Sequence, residues 1–322
     1  MSTMDLIIFI VQQMMNFSVP LLIVALGGLF AERSGIVNIA LDGTMILGAF
    51  TGIMFLHMVQ ATGAQTGQIT LLVALLISAV TGVIVSLVHA YASVNMKADQ
   101  TISGTAINMF APAVSIFVAR LVVGVQQVTF FNSFRIDSVP VLSAIPVIGP
   151  MFFQKSYLTT YIGFAILAVS AVVLYKTRFG LRLRACGEHP QAADSVGINV
   201  YKMRYAGTLI SGALAGIGGL VFIIPTSVNF DANVSGYGFL AIAVLIFGQW
   251  KPGRILFASL FFGLMKTISA VYTSVPFLMS LSIPSDVYKM FPYIATLVVL
   301  IFTARNSQAP RAEGIPYDKG ER

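Results

Sequence analysis

The sequence has little charge, almost no cysteine and no nucleotide-binding loop, and each absence narrows what the chain can do. Only 10% of its 322 residues are charged, against about a quarter in a soluble domain. In their place, 57% are hydrophobic and the mean hydropathy is +0.87, so lipid is the expected solvent. One cysteine, Cys186, excludes an intramolecular disulfide framework and a cysteine-rich metal site. His57, His89 and His189 lack ligand spacing, so no metal is expected. Gly-Lys never occurs as a dipeptide, which removes the phosphate-cradling loop G-x-x-x-x-G-K-[ST]. Neither a Ser-His-Asp set nor a paired-carboxylate site is apparent, and no catalytic residue is expected. The net charge of +7 does not point to nucleic acid, because its basic residues cluster in short loops between apolar runs. The N-terminus lacks a basic n-region and a clean cleavage site, and Asp5 precedes the apolar run, so the first segment is expected to stay.

What is present is a near-continuous series of apolar segments. Crossing a bilayer takes about 20 such residues. Nine spans are predicted, with eight to ten within tolerance: 5–30, 36–58, 69–90, 101–124, 157–176, 205–225, 236–249, 255–274 and 288–304. The fold class is therefore all-α, a polytopic membrane bundle over 1–304 with some helices broken. Lysine and arginine set its orientation. The loop 176–204 carries Lys176, Arg178, Arg182, Arg184, Lys202 and Arg204 and is expected in the cytoplasm, with Lys251, Arg254 and the tail from Arg305. The connections 125–156 and 275–287 face outward. Residues 305–322 read as a disordered cytoplasmic tail.

Several polar residues sit where hydrocarbon should not tolerate them. Asn38 and Asp42 are four apart, hence on one face of a helix, and Gly35 and Gly43 flank them. A broken helix lining a polar path is one reading. A brace between helices is the other, and it is favoured for Asn38. Gln100 and Ser103 open another apolar helix, where capping explains them, whereas Asn108 lies deeper and is the better path candidate. Asn229 and Asp231 fall in a turn between spans six and seven. Lys266 either snorkels or pairs with Asp42 or Asp231. Gly28 stands ten residues before Asn38, and Gly219 ten before Asn229, each copy then reaching an aspartate. Paired glycine-interrupted segments in two halves of a chain point to a substrate path.

In the basic loop, Pro190 suits the first turn of a short helix over Gln191 to Val196, and Gly197 can end it. Six residues are marginal alone in water, so a partner groove or the protein's own spans must hold that helix.

Three stretches carry a family likeness. Gly27 to Gly43 (GGLFAERSGIVNIALDG) resembles bacterial ABC-importer permeases for nucleosides, within the wider branched-chain amino acid and simple-sugar permease family. Gly187 to Ala193 (GEHPQAA), followed by Gly197, resembles that family's coupling-helix motif, with His189 for the usual Asn. Asp99 to Gly104 (DQTISG) matches its Asn-Gln-x-Ile-Ser-Gly pattern, and Asp42 stands where Glu is common. The resemblance implies a type II importer-like subunit in the bacterial cytoplasmic membrane, paired with a second permease. It implies an ABC ATPase that binds ATP and magnesium, docking at Gly187, Glu188, His189, Pro190, Ala192, Ala193 and Gly197, with no cofactor in this chain. An extracytoplasmic lipoprotein would deliver nucleoside to a path past Asn38, Asp42, Gln100, Ser103, Asn108, Asn229 and Asp231. A simple-sugar permease and an ion-coupled secondary transporter are the alternatives.

Overall fold

The structure is a computed structural model in which residues 3–275, 284–303 and 307–320 are described. Among the described residues, seven helices are long and apolar enough to cross a membrane. These are α1 (Thr3–Arg33), α2 (Leu41–Ala61), α3 (Gln68–Val94), α4 (Gln100–Val123), α5 (Leu158–Lys176), α8 (Val200–Thr226) and α10 (Pro252–Val271). Between α5 and α8, the basic loop folds into α6 (Arg178–Glu188) and α7 (Pro190–Ser195). The other two expected spans are α9 (Tyr237–Phe247), which has only 11 residues, and α11 (Ser285–Thr303). Most of the expected outward connection 275–287 lies outside the described residues, as do Arg305 and Arg322.

One end of the bundle gathers Arg33, Lys97, the α6–α7 loop and Lys251; we call it the basic end. At the far end, the 125–156 connection forms two small antiparallel pairs. β1 (Val128–Thr129) joins β4 (Asn229–Phe230), and β2 (Arg135–Ser138) joins β3 (Gln154–Tyr157).

Helix α8 is the axis, packed by α1, α2 and α3. Small residues make this possible, because apolar burial drives little association within lipid and close backbone contact must replace it. Ser78, Gly82 and Ser86 of α3 lie one turn apart and face Gly212 and Gly216 of α8. A β-carbon on Gly82 would collide with the Gly212 carbonyl, and one on Gly216 with the Ser78 carbonyl. Helix α1 runs antiparallel to α8: Val24 meets Gly218, Gly27 meets Ser211 and Phe30 meets Gly207. Its residues Leu21 to Leu26 are almost fully buried. Leu76, Ile84 and Val88 of α3, with Phe110, Phe117 and Leu121 of α4, are exposed apolar side chains suited to lipid.

Two interruptions shape the interior. After α1 the chain turns at Gly35, whose φ of +95° favours glycine, beside Arg204. It then runs back without helix, so that Asn38 reaches Ser211, level with Gly27. Helix α2 starts only at Leu41. The second interruption enters from the far end. From Thr226, residues 227–236 pass β4, place Phe230 against Phe50 (centroids 6.4 Å apart), and begin α9 beside Asp42. Since α1 and α8 are antiparallel, the two helix–break–helix units run in opposite senses. The short repeat around Gly28–Asn38 and Gly219–Asn229 marks these two breaks.

The tail departs from expectation. Residues 307–320 are not a free polar segment; they lie against the basic end. Gln308 N–H donates to Gln249 Oε1 (3.0 Å), Ala312 N–H to the Gly187 carbonyl (2.8 Å) and Gly314 N–H to the Gly35 carbonyl (3.2 Å). Tyr317 is buried against Cys186, Ala193 and Val200. Composition concealed this because backbone groups supply most of the bonds and a few apolar anchors supply the burial.

Candidate functional site at the meeting of two helix ends

Helices α2 and α9 begin at the same point in the bundle and run apart. Gly238 N–H, in the first turn of α9, donates to Asp42 Oδ1 (2.9 Å), and Asp42 itself lies in the first turn of α2. A β-carbon on Gly238 would overlap the Asp42 backbone, so only glycine lets the two ends touch. Helix N-termini carry partial positive charge and free N–H groups. The Asp42 carboxylate thus sits where two such ends meet and is bonded by the one of α9.

The other polar residues of this region hold the first break. Gly43 N–H donates to Asn108 Oδ1 (2.7 Å), while Asn108 Nδ2 donates to the Ile39 carbonyl (2.8 Å). Val37 N–H donates to Gln100 Oε1 (2.7 Å), and buried Asn38 donates from Nδ2 to Ser211 Oγ (2.8 Å). His89 bridges the Val37 carbonyl (3.1 Å) and Ser103 Oγ (2.9 Å). Asn38, Asp42, Gln100, Ser103 and Asn108 thus converge on residues 37–43. The capping expected of Gln100 and Ser103 is performed instead by Asp99, whose carboxylate accepts from Thr101 and Ile102 N–H. Those two bonds hold Asp99 below the usual carboxylate range.

The second break is open. Asn229, Asp231, Asn233, Ser235 and half-buried Lys266 line a far-end cavity of about 520 Å³ with Phe222 and Thr226. Phe222 packs on Tyr237 with centroids 4.0 Å apart, and Lys266 Nζ lies 5.7 Å from the Tyr237 ring. Tyr237 is fully buried and its hydroxyl has no hydrogen-bond partner among the described residues. One residue further on is Gly238, bonded to Asp42. The aromatic pair therefore lies between the cavity and the helix junction. Ala232 and Ser235 hold φ values of 59° and 53°, unusual for residues with a β-carbon, just before Gly236.

At the basic end, α7 buries Pro190 and Ala193 and presents Gln191, Ala192, Ser195 and Val196. Gly197, with φ of +83°, ends it. Gly187 is buried against the Arg33 carbonyl, while Glu188 and His189 are exposed. Arg33 reaches Glu188 (3.4 Å) and donates from Nη2 to the Trp250 carbonyl (3.1 Å). Trp250 Nε1 in turn donates to the buried Glu32 carboxylate. Sequence reasoning passed over Ser211, Glu32, Trp250, Phe222 and Tyr237. The lone tryptophan and an acid ending an apolar run were the available signals; the aromatic pair looked like ordinary core.

Comparison with known proteins fits this architecture. Residues 10–300 match the family described as "Branched-chain amino acid transport system / permease component". The chain is 42% identical over the full length of both proteins to the guanosine ABC transporter permease protein NupQ of Bacillus subtilis. It is 39% identical, again over both full lengths, to the nucleoside ABC transporter permease protein NupC of Lactococcus lactis. A second nucleoside ABC transporter permease protein of that organism, NupB, is 28% identical over 48% of this chain and 43% of its own length. No solved structure gives a significant match. The chain is a multi-pass membrane protein and belongs to this family of transport-system permease components.

Proposed function

We propose that the chain is the nucleoside permease subunit of an ATP-driven importer in the bacterial cytoplasmic membrane. The observation that carries the transport reading is the junction of α2 and α9 at Asp42, beneath a polar cavity open at the far end. Two half-helix N-termini meeting inside a bundle give a polar centre that lipid alone would never favour. The cavity volume lies within the roughly 300–1,000 Å³ of small-molecule sites. Its amides, hydroxyls and carboxylate suit ribose hydroxyls and base edges. The substrate class follows from the full-length likeness to NupQ and NupC.

The basic end faces the cytoplasm, a reading that its concentration of lysine and arginine supports. An ABC ATPase, which binds ATP and magnesium, docks on the exposed face of α7, so Glu188, His189, Gln191 and Ala192 meet it. A second permease of NupB type completes the pathway, and an extracytoplasmic binding protein delivers nucleoside to the cavity. ATPase closure moves α7, the helices rock, and parting of Phe222 from Tyr237 admits substrate toward Asp42. Asn38, Gln100, Ser103 and Asn108 keep the lining in register, while Asn229 and Asp231 contact the solute first.

The test is uptake of a labelled nucleoside panel by cells carrying the whole system, with and without its ATPase. Guanosine or another nucleoside should accumulate only with the ATPase. Accumulation that survives ATPase loss overturns the ATP-driven reading, and competition by simple sugars but not nucleosides overturns the substrate class.

A further inference from the structure

Three regions outside the pathway carry polar structure that transport as described leaves unused. These are the β2–β3 hairpin, a second far-end cavity of about 420 Å³ around His57 and Asn132, and the C-terminal segment on the basic end. The last touches the coupling machinery directly.

Residues 312 and 314 bridge two elements that touch each other where Gly187 packs on the Arg33–Gly35 turn and Arg33 pairs with Glu188, and they add a backbone link to each. Ala312 donates to the carbonyl of Gly187, where α6 enters the α7 motif, and Gly314 donates to the carbonyl of Gly35, at the foot of the first break. A turn over residues 311–314 thus ties the ATPase-facing loop to the segment that leads to Asn38 and Asp42. Anchors on both sides fix the bridge. Upstream, Gln308 is held by Gln249. Downstream, the fully buried Arg204 donates from Nη1 to the Ile315 carbonyl (2.9 Å), and Tyr317 packs on Tyr201 (5.4 Å) in the buried cluster that also holds Ala193 of α7. Lys97 pairs with Asp318. Between the anchors, Glu313 hydrogen-bonds Glu32, which also accepts from Trp250. Two hydrogen-bonded carboxyls must share a proton, so this contact is itself a specific lock.

We propose that residues 307–318 form a positioning strap that transmits displacement of α7 to the Gly35–Asp42 segment, making the C-terminus part of the coupling mechanism. This rests on the ABC-permease reading for its purpose but not for its structure. The strap acts on α7 from its buried side: Tyr317 shares one buried apolar cluster with Ala193, while Gln191, Ala192 and Val196 stay exposed. It therefore completes the coupling unit without occupying the docking face.

The experiment compares the full chain with a version ending at residue 306, and with Tyr317→Ala in case the truncation fails to assemble. Hydrogen exchange of residues 187–198, measured on the chain in detergent, reads the strap with no transport involved. Loss of the strap should speed exchange there by about tenfold. In the assembled transporter, nucleoside moved per ATP hydrolysed should fall several-fold, while copurification of the ATPase is retained. Unchanged exchange in both variants overturns the strap. Faster exchange with an unchanged transport ratio overturns its role in coupling. Absence of nucleoside uptake by the unaltered transporter would instead fail the functional reading and leave the exchange result standing.

Discussion

The two breaks in the bundle are built alike and finished differently. Both follow a Gly-Gly-Leu sequence near the end of a long buried helix, and both lead to a helix starting beside Asp42. In the first break, Val37, Asn38, Ile39 and Gly43 are all held by side chains from α3, α4 and α8. In the second, Asn229, Asp231 and Asn233 are exposed around a cavity, and the backbone at Ala232 and Ser235 is strained. One break is a seat and the other a mouth. An inverted repeat needs only one of its copies to fix the helix junction, which leaves the other free to meet solute.

The largest effect that would break this contrast is on stability. Asn108→Ala removes the partners of the Gly43 N–H and the Ile39 carbonyl together. Leaving such groups unpaired costs about 1–3 kcal/mol each, and the bundle interior offers little water to replace them. Thermal unfolding in detergent should shift down by several degrees. Asp231→Asn, at an exposed site, should shift it by less than about 0.5 kcal/mol. Equal shifts for the two variants would remove the distinction between seat and mouth.

Transport should respond in the opposite order. Lys266→Met leaves a side chain of similar length beneath the cavity but removes the cation facing the Tyr237 ring. A cation–π contact of this kind is worth about 0.5–2 kcal/mol, and Lys266 shares the cavity with Asp231. Nucleoside uptake should fall by about two- to thirtyfold on that figure, with assembly unchanged. Wild-type uptake by Lys266→Met would return the cavity to the status of a surface hollow.

How far the sequence foretold this contrast depends on the range of the interaction. The apolar segments, the helix over Pro190–Ser195 and the Gly197 stop are local, and periodicity with turn chemistry placed them within a few residues. The anomaly of Asn38, Asp42 and Asn108 was visible because polarity in an apolar run is itself a signal. Their partners were not. Ser211 is 173 residues from Asn38, and Gly238 is 196 from Asp42. No spacing rule spans such separations, so lining and bracing read the same in sequence. The seventh expected span is α9, with only 11 residues, because the chain ahead of it dips into the bundle before coiling. The tail was misjudged because polar composition describes what a segment could do alone, whereas its burial comes from Arg204 and Tyr201 on another helix.

The smallest effect concerns the strap, which anchors the first break at Gly35. Burial against Glu32 pushes the Glu313 carboxyl up to about 7 from its ordinary 4.5, with Arg33 and the bond to Glu32 acting the other way. The groups facing it are Glu32 and Arg33 of α1, and Trp250 is bonded to the same Glu32. Since the docked value lies above that of a free carboxyl, docking takes up a proton. The contribution is whole below the free value and declines as pH rises through about 7, so alkaline conditions loosen the strap. Hydrogen exchange at residues 312–317, corrected for its intrinsic pH dependence, should therefore show less protection at about pH 8 than at about pH 6. Glu313→Gln, which keeps a neutral hydrogen-bonding group, should flatten that difference without releasing the strap. A pH response that persists in Glu313→Gln would assign it to another group. No pH response in the unaltered chain would mean that the two carboxyls do not share a proton, and the strap would then hold by its backbone bonds and Tyr317 alone.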